Sequence, residues 1–248
     1  MRLLPAYLLY AASLSAALWR KGVGSSSGRP GAVPAPKPAN VLIVGATGGT
    51  GRELVTQALE RGYGVTALAR NPSAIQITHE RLRVVQGNVL DYASLESAVQ
   101  GQDAVLCALG HKQFFRPTRI LSEGTRNLLR AMNAHGVSRL VCETALGISN
   151  SAGRMGLYYT FFVIPIILPF YFWDKARQEQ AIAGSRADWV VVRPGALTNG
   201  PRRGGYRHGA SIGNFLWTVR ISRADVADFL VEAAVSADWI GQAVQLGG

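Results

Sequence analysis

The sequence predicts an α/β fold, a Rossmann-type doubly wound parallel sheet in a single domain. Three observations lead to this prediction: short apolar runs alternate with helical patterns after residue 40, the runs lack strict polar alternation, and a glycine-rich turn follows the first run. Strands that are apolar at consecutive positions are buried on both faces, as in parallel sheets that helices cover on both sides.

The predicted elements follow in regular order along the chain. Strands are expected at residues 41–45, 64–69, 82–87, 103–110, 138–145 and 188–195, because these are the short apolar runs. Helices are expected at residues 52–60, 92–100, 121–134 and 222–235, where apolar residues recur at helical spacing, in the last case behind a serine cap. The Rossmann domain is therefore predicted to span residues 40–248.

Residues 1–21 form a hydrophobic segment ahead of this domain. Residues 3–19 carry no charge and are followed by Arg20 and Lys21. Their length is borderline for a membrane span, so an anchor, a cleaved signal and a transit peptide all stay open. An anchor with this basic flank would keep the domain on the cytoplasmic side, whereas a removable leader implies an organelle protein or a soluble cytoplasmic one. Residues 22–39 are rich in Gly, Pro and Ser and are predicted to be a flexible linker.

The composition favours anionic partners. Lys and Arg number 26 against 15 Asp and Glu, which suits polyanionic ligands or an anionic membrane surface. The charge is dispersed and no nucleic-acid reading motif accompanies it, so we expect no nucleic-acid partner. The two cysteines, Cys107 and Cys142, lie in apolar runs and are expected to be reduced core thiols. No metal site and no particular oligomeric state are predicted.

The glycine-rich turn has the spacing of a dinucleotide-binding motif. In "VLIVGATGGTGREL", Gly45, Gly48 and Gly51 are three residues apart, and Gly49 is an additional glycine. Without Cβ atoms the turn can tighten, a pyrophosphate can approach the backbone, and the helix can pack on the strand. The motif follows a strand and opens a helix, which is the context that it requires.

Arg70 favours NADP(H) over NAD(H). A cofactor without a 2′-phosphate is usually bound by an acidic residue about 20 residues after the glycines, but "TALARNP" has Arg70 there. A guanidinium can bind a phosphate with two hydrogen bonds and stack on adenine. The alternatives are that Arg70 is a solvated surface residue or that Arg52 shares the task.

The chain resembles the atypical short-chain dehydrogenases/reductases, in the NmrA-like branch that includes biliverdin and flavin reductases. The resemblance rests on "VGATGGTG", "LAR", "GNVLD", "CALG", "DWVVVRPGALTNGP" and "SRADVA". It implies a substrate region in residues 145–220. The cofactor contacts that it implies are Gly45, Thr47, Gly48, Gly49, Thr50, Gly51, Arg70, Asn88, Val89, Ala108, Leu109 and Gly110.

Two positions depart from the family pattern. The family usually has an acid after the glycine of the third-strand motif, and this chain has Asn88, whose amide can still hydrogen-bond adenine. Where a classical reductase has a serine after the fifth strand, "CETALG" offers Thr144, whose hydroxyl can make the same hydrogen bond.

Tyr171 and Lys175 are the candidate catalytic pair, with Thr144 as a third member. The i, i+4 spacing in "YFWDK" places Tyr171 and Lys175 on one helix face. The tyrosine can then give a proton to a carbonyl oxygen as hydride arrives. In the alternative interpretation, Tyr171 is an apolar packing residue and Lys175 pairs with Glu179. His111, in the loop after the fourth strand, is either a further donor or merely solvated.

Residues 155–173 are uncharged and long enough for a bilayer, yet a full span is not expected. They lie between two strands of one sheet, and Pro165 and Pro169 interrupt a continuous helix. Two interpretations stay open. The segment is either a buried helix and lid over the cofactor, with ordinary core or dimer contacts, or an exposed flap that meets a membrane surface or a lipophilic substrate. Arg202, Arg203 and Arg207 are expected to contact lipid head groups, to close over cofactor phosphates, or to be solvated.

Together these features predict a membrane-associated, NADPH-dependent oxidoreductase. The expected reaction is hydride transfer to a small or lipophilic carbonyl, quinone or conjugated acceptor, with the cofactor supplying the hydride. The alternative is a non-catalytic NAD(P)H-binding sensor or assembly factor.

Overall fold

The computed structural model describes residues 39–248. The predicted leader (1–21) and linker (22–39) lie outside these residues, apart from Ala39. Five α-helices of eight residues or more accompany the sheet in the described part of the chain: α1 (Gly49–Glu60), α2 (Tyr92–Val99), α3 (Ile120–Ala134), α4 (Pro169–Ala183) and α5 (Arg223–Ala233). The strands are β1 (Asn40–Val44), β2 (Gly64–Ala69), β3 (Leu82–Gln86), β4 (Ala104–Cys107), β5 (Arg139–Glu143), β6 (Asp188–Pro194), β7 (Ala196–Thr198), β8 (Arg207–Gly209), β9 (Arg220–Ser222) and β10 (Gln242–Gly247).

The main sheet has eight strands in the order β3-β2-β1-β4-β5-β6-β10-β8. All neighbours pair in parallel except β8, which is antiparallel to β10. The order reverses at β1, which pairs with β2 on one side and β4 on the other. This reversal opens a crevice beyond the carboxyl end of β1, where ligands bind in such sheets.

The sheet is buried on both faces, as the apolar runs predicted. Val41 and Ile43 of β1 pack with apolar residues of α1 and α5. Leu42 and Val44, which point to the opposite face, pack with residues of α2, α3 and α4. This alternation turns an uninterrupted apolar run into two cores, one on each side of the sheet.

The predicted doubly wound α/β fold is confirmed. The six predicted strands are present, and the predicted serine cap is present too, because Ser222 Oγ accepts the Asp225 N–H at 2.9 Å. Helix α1 begins at Gly49, three residues before its predicted start. The short strands β7 to β9 and strand β10 were not predicted. Strand β10 contains a buried polar residue, Gln245, which the Ala210 carbonyl satisfies at 2.9 Å.

Residues 155–173 form neither a straight helix nor a fully buried one. A helical turn (Gly156–Tyr158) leads into a π-helix (Tyr159–Ile167), and α4 follows after Leu168. Pro165 lies inside the π-helix, and the chain turns by 97° just before Pro169. Within residues 39–248 no single helix is long and apolar enough to cross a bilayer. The two bent segments Gly156–Ile167 and Pro169–Ala183 reach the necessary length and apolar composition only when they are taken together.

Candidate functional site

The glycine turn joins β1 to α1 at the point where the strand order reverses. Gly45 has a φ of +85°, and a Cβ there would lie 2.5 Å from the Ala108 carbonyl oxygen. A Cβ on Gly51 would overlap the Gly45 carbonyl oxygen. The Gly48 N–H donates to that same oxygen at 2.9 Å. Glycine is required at these positions because strand, turn and helix approach one another too closely for side chains.

The start of α1 fits a pyrophosphate group. Gly48, its N-cap, offers no side-chain hydrogen bond, and both Gly48 and Gly49 are exposed. The first N–H groups of the helix and the positive end of its dipole therefore remain available to an anion. Thr47 is half-buried in the same turn. Arg223 of α5 lies against Gly49, and its Nη1 donates to Asn199 Oδ1 at 2.5 Å.

Beside this turn, a pocket of about 290 Å³ is lined by Gly49, Arg52, Glu53, Asn199, Gly200 and Arg223. Two guanidinium groups thus line a cavity at the positive end of a helix, which makes it suitable for a phosphorylated ligand. Arg223 was not identified as a site residue in the sequence. The only available signal was its place in "SRADVA", because a contact across more than 170 residues leaves no local pattern.

The residues predicted to contact the adenosine part follow β2 and β3. Arg70 directly follows β2, is exposed, and has no hydrogen bond or ion pair to another residue of the described chain. Asn88 is also exposed; its side-chain oxygen accepts the Leu90 N–H at 3.1 Å, which leaves its NH₂ group to donate. Val89 is buried and packs on α3, where a Cβ added at Gly124 would lie 2.7 Å from its Cγ2.

Tyr171 and Lys175 reach the chain that follows β4. Lys175 is buried, and its Nζ donates to the Leu109 carbonyl oxygen at 3.0 Å and the Glu143 carbonyl oxygen at 2.9 Å. The Tyr171 hydroxyl oxygen lies 3.5 Å from where a Gly110 Cβ would be, and Lys175 Nζ is 5.8 Å from the Tyr171 ring centre. Burial by itself lowers the pKa of Lys175, but the charges of neighbouring groups, Tyr171 foremost, raise it above its usual value.

Thr144 belongs to a different hydrogen-bond network. Its hydroxyl donates to Glu179 Oε1 at 2.7 Å. Glu179 also forms a fully buried bidentate ion pair with Arg193, at 2.8 and 2.6 Å, and Ser149 Oγ donates to it at 3.1 Å. Arg193 in turn donates to Asn150. The network joins the end of β5 to α4 and β6, and Glu179 pairs with Arg193 rather than with Lys175.

Glu143 is a buried acid that was not identified in the sequence as a site residue. It ends β5, and its Oε1 accepts the Thr50 hydroxyl of α1 at 3.2 Å. Burial raises the pKa of its carboxyl, while Lys175 and the Thr50 hydrogen bond oppose this increase. A buried acid with a raised pKa thus lies under the second residue of the helix that the cofactor phosphates are expected to approach. In the sequence it was indistinguishable from an ordinary residue at a strand end.

His111 contacts Tyr171 and is not merely solvated. The two rings meet edge to face with centroids 5.0 Å apart. Nδ1 of His111 accepts the Gln113 N–H at 3.2 Å, and Nε2 lies 3.0 Å from the Thr118 hydroxyl. Because Nδ1 accepts a hydrogen bond, the ring is in the neutral Nε2–H form, and Nε2 donates to the Thr118 hydroxyl. Burial favours this neutral form by lowering the pKa of the ring.

The three arginines of the 202–207 loop differ in their contacts. Arg202 lies against α1, with its Nη1 3.4 Å from Glu60 Oε2 and 3.4 Å from Gln57 Oε1. Arg203 donates its backbone N–H to Asp225 at 2.7 Å and has an exposed side chain, as does Arg207. Ion pairing with α1 therefore accounts for Arg202, while the other two remain open to solvent or ligand.

Comparison with known proteins identifies the family. The sequence profile described as NAD(P)H-binding matches residues 45–237, which contain the glycine turn, Arg70 and the Tyr171–Lys175 pair. The chain belongs to this NAD(P)H-binding family. The match agrees with the resemblance to atypical short-chain dehydrogenases/reductases, which is thereby confirmed.

Two curated relatives have similar sequences. An uncharacterised chloroplastic protein of Arabidopsis thaliana is 29% identical over 217 residues, which cover 82% of this chain and 74% of that protein. The photosystem II assembly factor Ycf39 of Synechocystis is 33% identical over 104 residues, 41% of this chain and 32% of that protein. Several other curated relatives also align over only about a third of their own length.

Solved structures share the fold. A short-chain dehydrogenase/reductase of Veillonella parvula, determined in complex with NADP, superposes with a TM-score of 0.70 at 18% identity. The superposition covers 85% of this chain and 95% of that one. At this identity the likeness establishes the Rossmann-like architecture alone.

Proposed function

We propose that the protein is an NADPH-dependent oxidoreductase that transfers hydride to a small or lipophilic carbonyl, quinone or conjugated acceptor. The observation that carries this proposal is the position of Tyr171 and Lys175 beside Leu109 and Gly110, at the crevice edge of the sheet. Bound NADPH supplies the hydride in such chemistry. The protein supplies alignment and a proton donor.

In the proposed reaction, the Tyr171 hydroxyl donates the proton that the acceptor oxygen takes up. Its hydroxyl makes no hydrogen bond to another group in residues 39–248 and is half-buried, so it is available to a substrate. The Lys175 ammonium, held by two backbone carbonyls, stabilises the phenolate that remains. His111 packs edge to face against the Tyr171 ring. Thr144 is left out of this proton transfer, because its hydroxyl is engaged by Glu179.

The test is NADPH oxidation by the purified chain with quinones, flavins and aldehydes, alongside a fluorescence titration of NADPH. Tyr171→Phe should lower turnover at least about a hundredfold, the usual contribution of a positioned acid, and should leave NADPH affinity within about twofold. Tyr158→Phe, which removes a hydroxyl from an exposed ring, is the matched control. Equal turnover of Tyr171→Phe and the wild type would exclude Tyr171 as the proton donor.

A second candidate function is a non-catalytic NAD(P)H-binding sensor or assembly factor. The engagement of Thr144 by Glu179 favours it, since this leaves Tyr171 without the hydroxyl partner that a classical reductase has. The similarity to an assembly factor adds support. Tight NADPH binding with no turnover across the whole acceptor panel would favour this function over the reductase.

For the location, we propose that residues 1–38 act as an organelle-targeting leader or as a membrane anchor. The chloroplastic Arabidopsis relative supports the first role, and the uncharged run at residues 3–19 suits the second. Sequencing the N-terminus of the mature protein distinguishes the two roles. A new N-terminus close to Ala39 indicates a removed leader, and an intact one indicates an anchor.

A further inference from the structure

Most of the exposed large hydrophobic side chains of the described chain belong to two short segments. In residues 39–248, nine of the twelve exposed large hydrophobic residues belong to two short segments, 157–167 and 215–217. The most exposed of these nine are Trp217 at 75%, Tyr158 at 62% and Leu216 at 61%. We call the nine residues the apolar face: Leu157, Tyr158, Phe161, Phe162, Ile166, Ile167, Phe215, Leu216 and Trp217. Contiguous exposure of this kind marks an interaction surface.

The apolar face is built on a fixed platform. The backbones of the two segments are joined by hydrogen bonds from Gly156 N to Asn214 O at 3.1 Å and from Leu157 N to Leu216 O at 3.5 Å. Gly156 has a φ of +81°, and a Cβ there would lie 2.6 Å from the Trp217 carbonyl carbon. The rings of Phe161 and Phe215 meet edge to face, 6.0 Å apart. The two segments therefore present their side chains together.

The buried residues of the 155–167 segment pack near the candidate active site. Met155 and Ile164, which flank the exposed residues, are buried in a small core with Phe172, and Tyr171 packs against that core. A cavity of about 470 Å³ opens between Phe161 and Phe215. The segment that carries much of the apolar face thus shares a small core with the candidate proton donor through Met155 and Ile164.

The segments that carry the apolar face are basic and contain no acids. Residues 144–173 and 189–224, which contain the whole face, include no Asp or Glu. Arg154 lines the cavity beside Phe161, and exposed Arg220 follows Trp217 by three residues. Apolar and aromatic side chains with arginines and no acids match the interface of an anionic bilayer, where rings enter the acyl boundary and guanidinium groups meet phosphates.

We propose that the apolar face docks on the surface of an anionic lipid bilayer without crossing it. Docking places Trp217, Leu216 and Phe162 in the interface. It also brings the mouth of the Phe161–Phe215 cavity to the membrane. The proposal does not rest on catalysis, because a bound sensor would dock through the same surface.

The positive charge of the segments that form the apolar face argues against a second copy of the chain as its binding partner. A two-fold contact would set this face against itself, and the segments that form it hold arginines but no acid to pair with them. Like charges would then face each other across a desolvated contact, which costs free energy. Anionic lipid supplies the missing negative charge.

The experiment uses the full chain with Leu216→Cys labelled by a polarity-sensitive fluorophore. The native Cys107 and Cys142 are fully buried and do not compete for the label. Vesicles of phosphatidylcholine with phosphatidylserine should shift the emission to the blue, and pure phosphatidylcholine should do so much less. The control label is Thr56→Cys on exposed α1, which should not respond. Adding Phe162→Ser to the labelled variant should weaken partitioning about tenfold.

Residues 1–38 do not confound this readout, because the label reports immersion of the face and not attachment of the chain. A chain that sediments with vesicles while the Leu216 label stays unshifted would overturn the proposal. A shift that depends on protein concentration and needs no vesicles would also overturn it, in favour of a second copy. Equal shifts with both lipid compositions would remove the role of charge and contradict the proposal as stated.

Discussion

Arg70 is the residue on which the predicted preference for NADP(H) over NAD(H) depends. It is exposed at the end of β2 and makes no hydrogen bond or ion pair within the described chain, so its guanidinium is available to a ligand. We expect Arg70→Ala to weaken NADPH binding at least about tenfold, the effect of losing a hydrogen bond to a charged group, and to leave NADH binding unchanged. Paired fluorescence titrations measure both affinities.

The control for Arg70 is Arg83→Ala, which removes another exposed arginine from β3. It should affect neither cofactor. An equal loss of NADPH and NADH affinity in Arg70→Ala would mean that Arg70 does not bind the 2′-phosphate, and Arg52, in the pocket at the start of α1, becomes the candidate.

The buried Glu143 carboxyl is expected to make the free energy of unfolding depend on pH. Its folded-state pKa is raised by burial, so its contribution to stability is fully present below the usual glutamate pKa. That contribution is lost as the pH rises through the raised pKa, because a charge must then be kept in a buried site. The Thr50 hydrogen bond, at 3.2 Å, persists with either a carboxyl or an amide as acceptor.

We therefore expect Glu143→Gln and the wild type to have similar unfolding free energies near pH 4, with the variant gaining relative to the wild type toward pH 8. Urea unfolding at several pH values measures this difference, in which the effects of other acids cancel. Glu80→Gln is the control, since the Glu80 side chain is 81% exposed. A difference that stays constant with pH, or that grows toward acid, would contradict the assignment.

At the scale of elements, the contact between β1 and α1 depends on the absence of a side chain at Gly51. A Cβ at that position overlaps the Gly45 carbonyl oxygen, which is backbone and cannot rotate away. Gly51→Ala must therefore push α1 off the strand and distort the turn. We expect a loss of roughly 2 kcal/mol or more in unfolding free energy, together with a loss of NADPH binding.

Gly205→Ala is the matched control for Gly51→Ala, because a Cβ at Gly205 meets nothing within 4 Å. Chemical denaturation and NADPH titration apply to both variants. Wild-type stability and affinity in Gly51→Ala would show that the turn tolerates a side chain and that the close approach is not required.

The position of α4 also depends on polar groups whose role was not evident from the sequence. Asp174 accepts the Leu121 and Ser122 N–H groups at 2.9 and 3.1 Å and so caps α3 from a neighbouring helix. One residue later, Lys175 hydrogen-bonds the ends of β4 and β5. The predicted i, i+4 spacing of Tyr171 and Lys175 is real, since α4 carries both residues, but interhelical hydrogen bonds determine where the pair is held.

At the scale of the whole molecule, the parallel strands and their helices were predictable because each carries its own local signal. Apolar runs, helical spacing and the glycine turn depend on residues a few positions apart. Strand β10 escaped prediction because Gln245 interrupts its apolar pattern and is satisfied only by the distant Ala210 carbonyl. Likewise, nothing local indicated that Arg223 would lie against Gly49.

Residues 155–173 show the same difference between what local sequence signals predict and what distant contacts determine. Their composition indicated an uncharged segment that is not a simple span, with burial and exposure both open. In the structure, Thr160, Ile164 and Pro165 are buried, whereas the residues that this segment contributes to the apolar face are exposed. Pairing with residues 214–217, about 60 positions away, decides which side chains face outward, and no periodicity within the segment records that pairing.

By itself the sequence determined the α/β fold, the glycine turn from Gly45 to Gly51, the exposed position of Arg70 after β2 as a candidate cofactor contact, and the placement of Tyr171 and Lys175 on one helix. Each of these depends on short-range geometry, such as backbone freedom at glycine, strand burial or one turn of helix. Only the tertiary structure decided that the Thr144 hydroxyl donates a hydrogen bond to Glu179, that Glu143 is buried beneath α1, and that nine hydrophobic residues form one exposed face. These are contacts between segments far apart in the chain, and their free energy depends on burial and on partners that arise only when the sheet assembles.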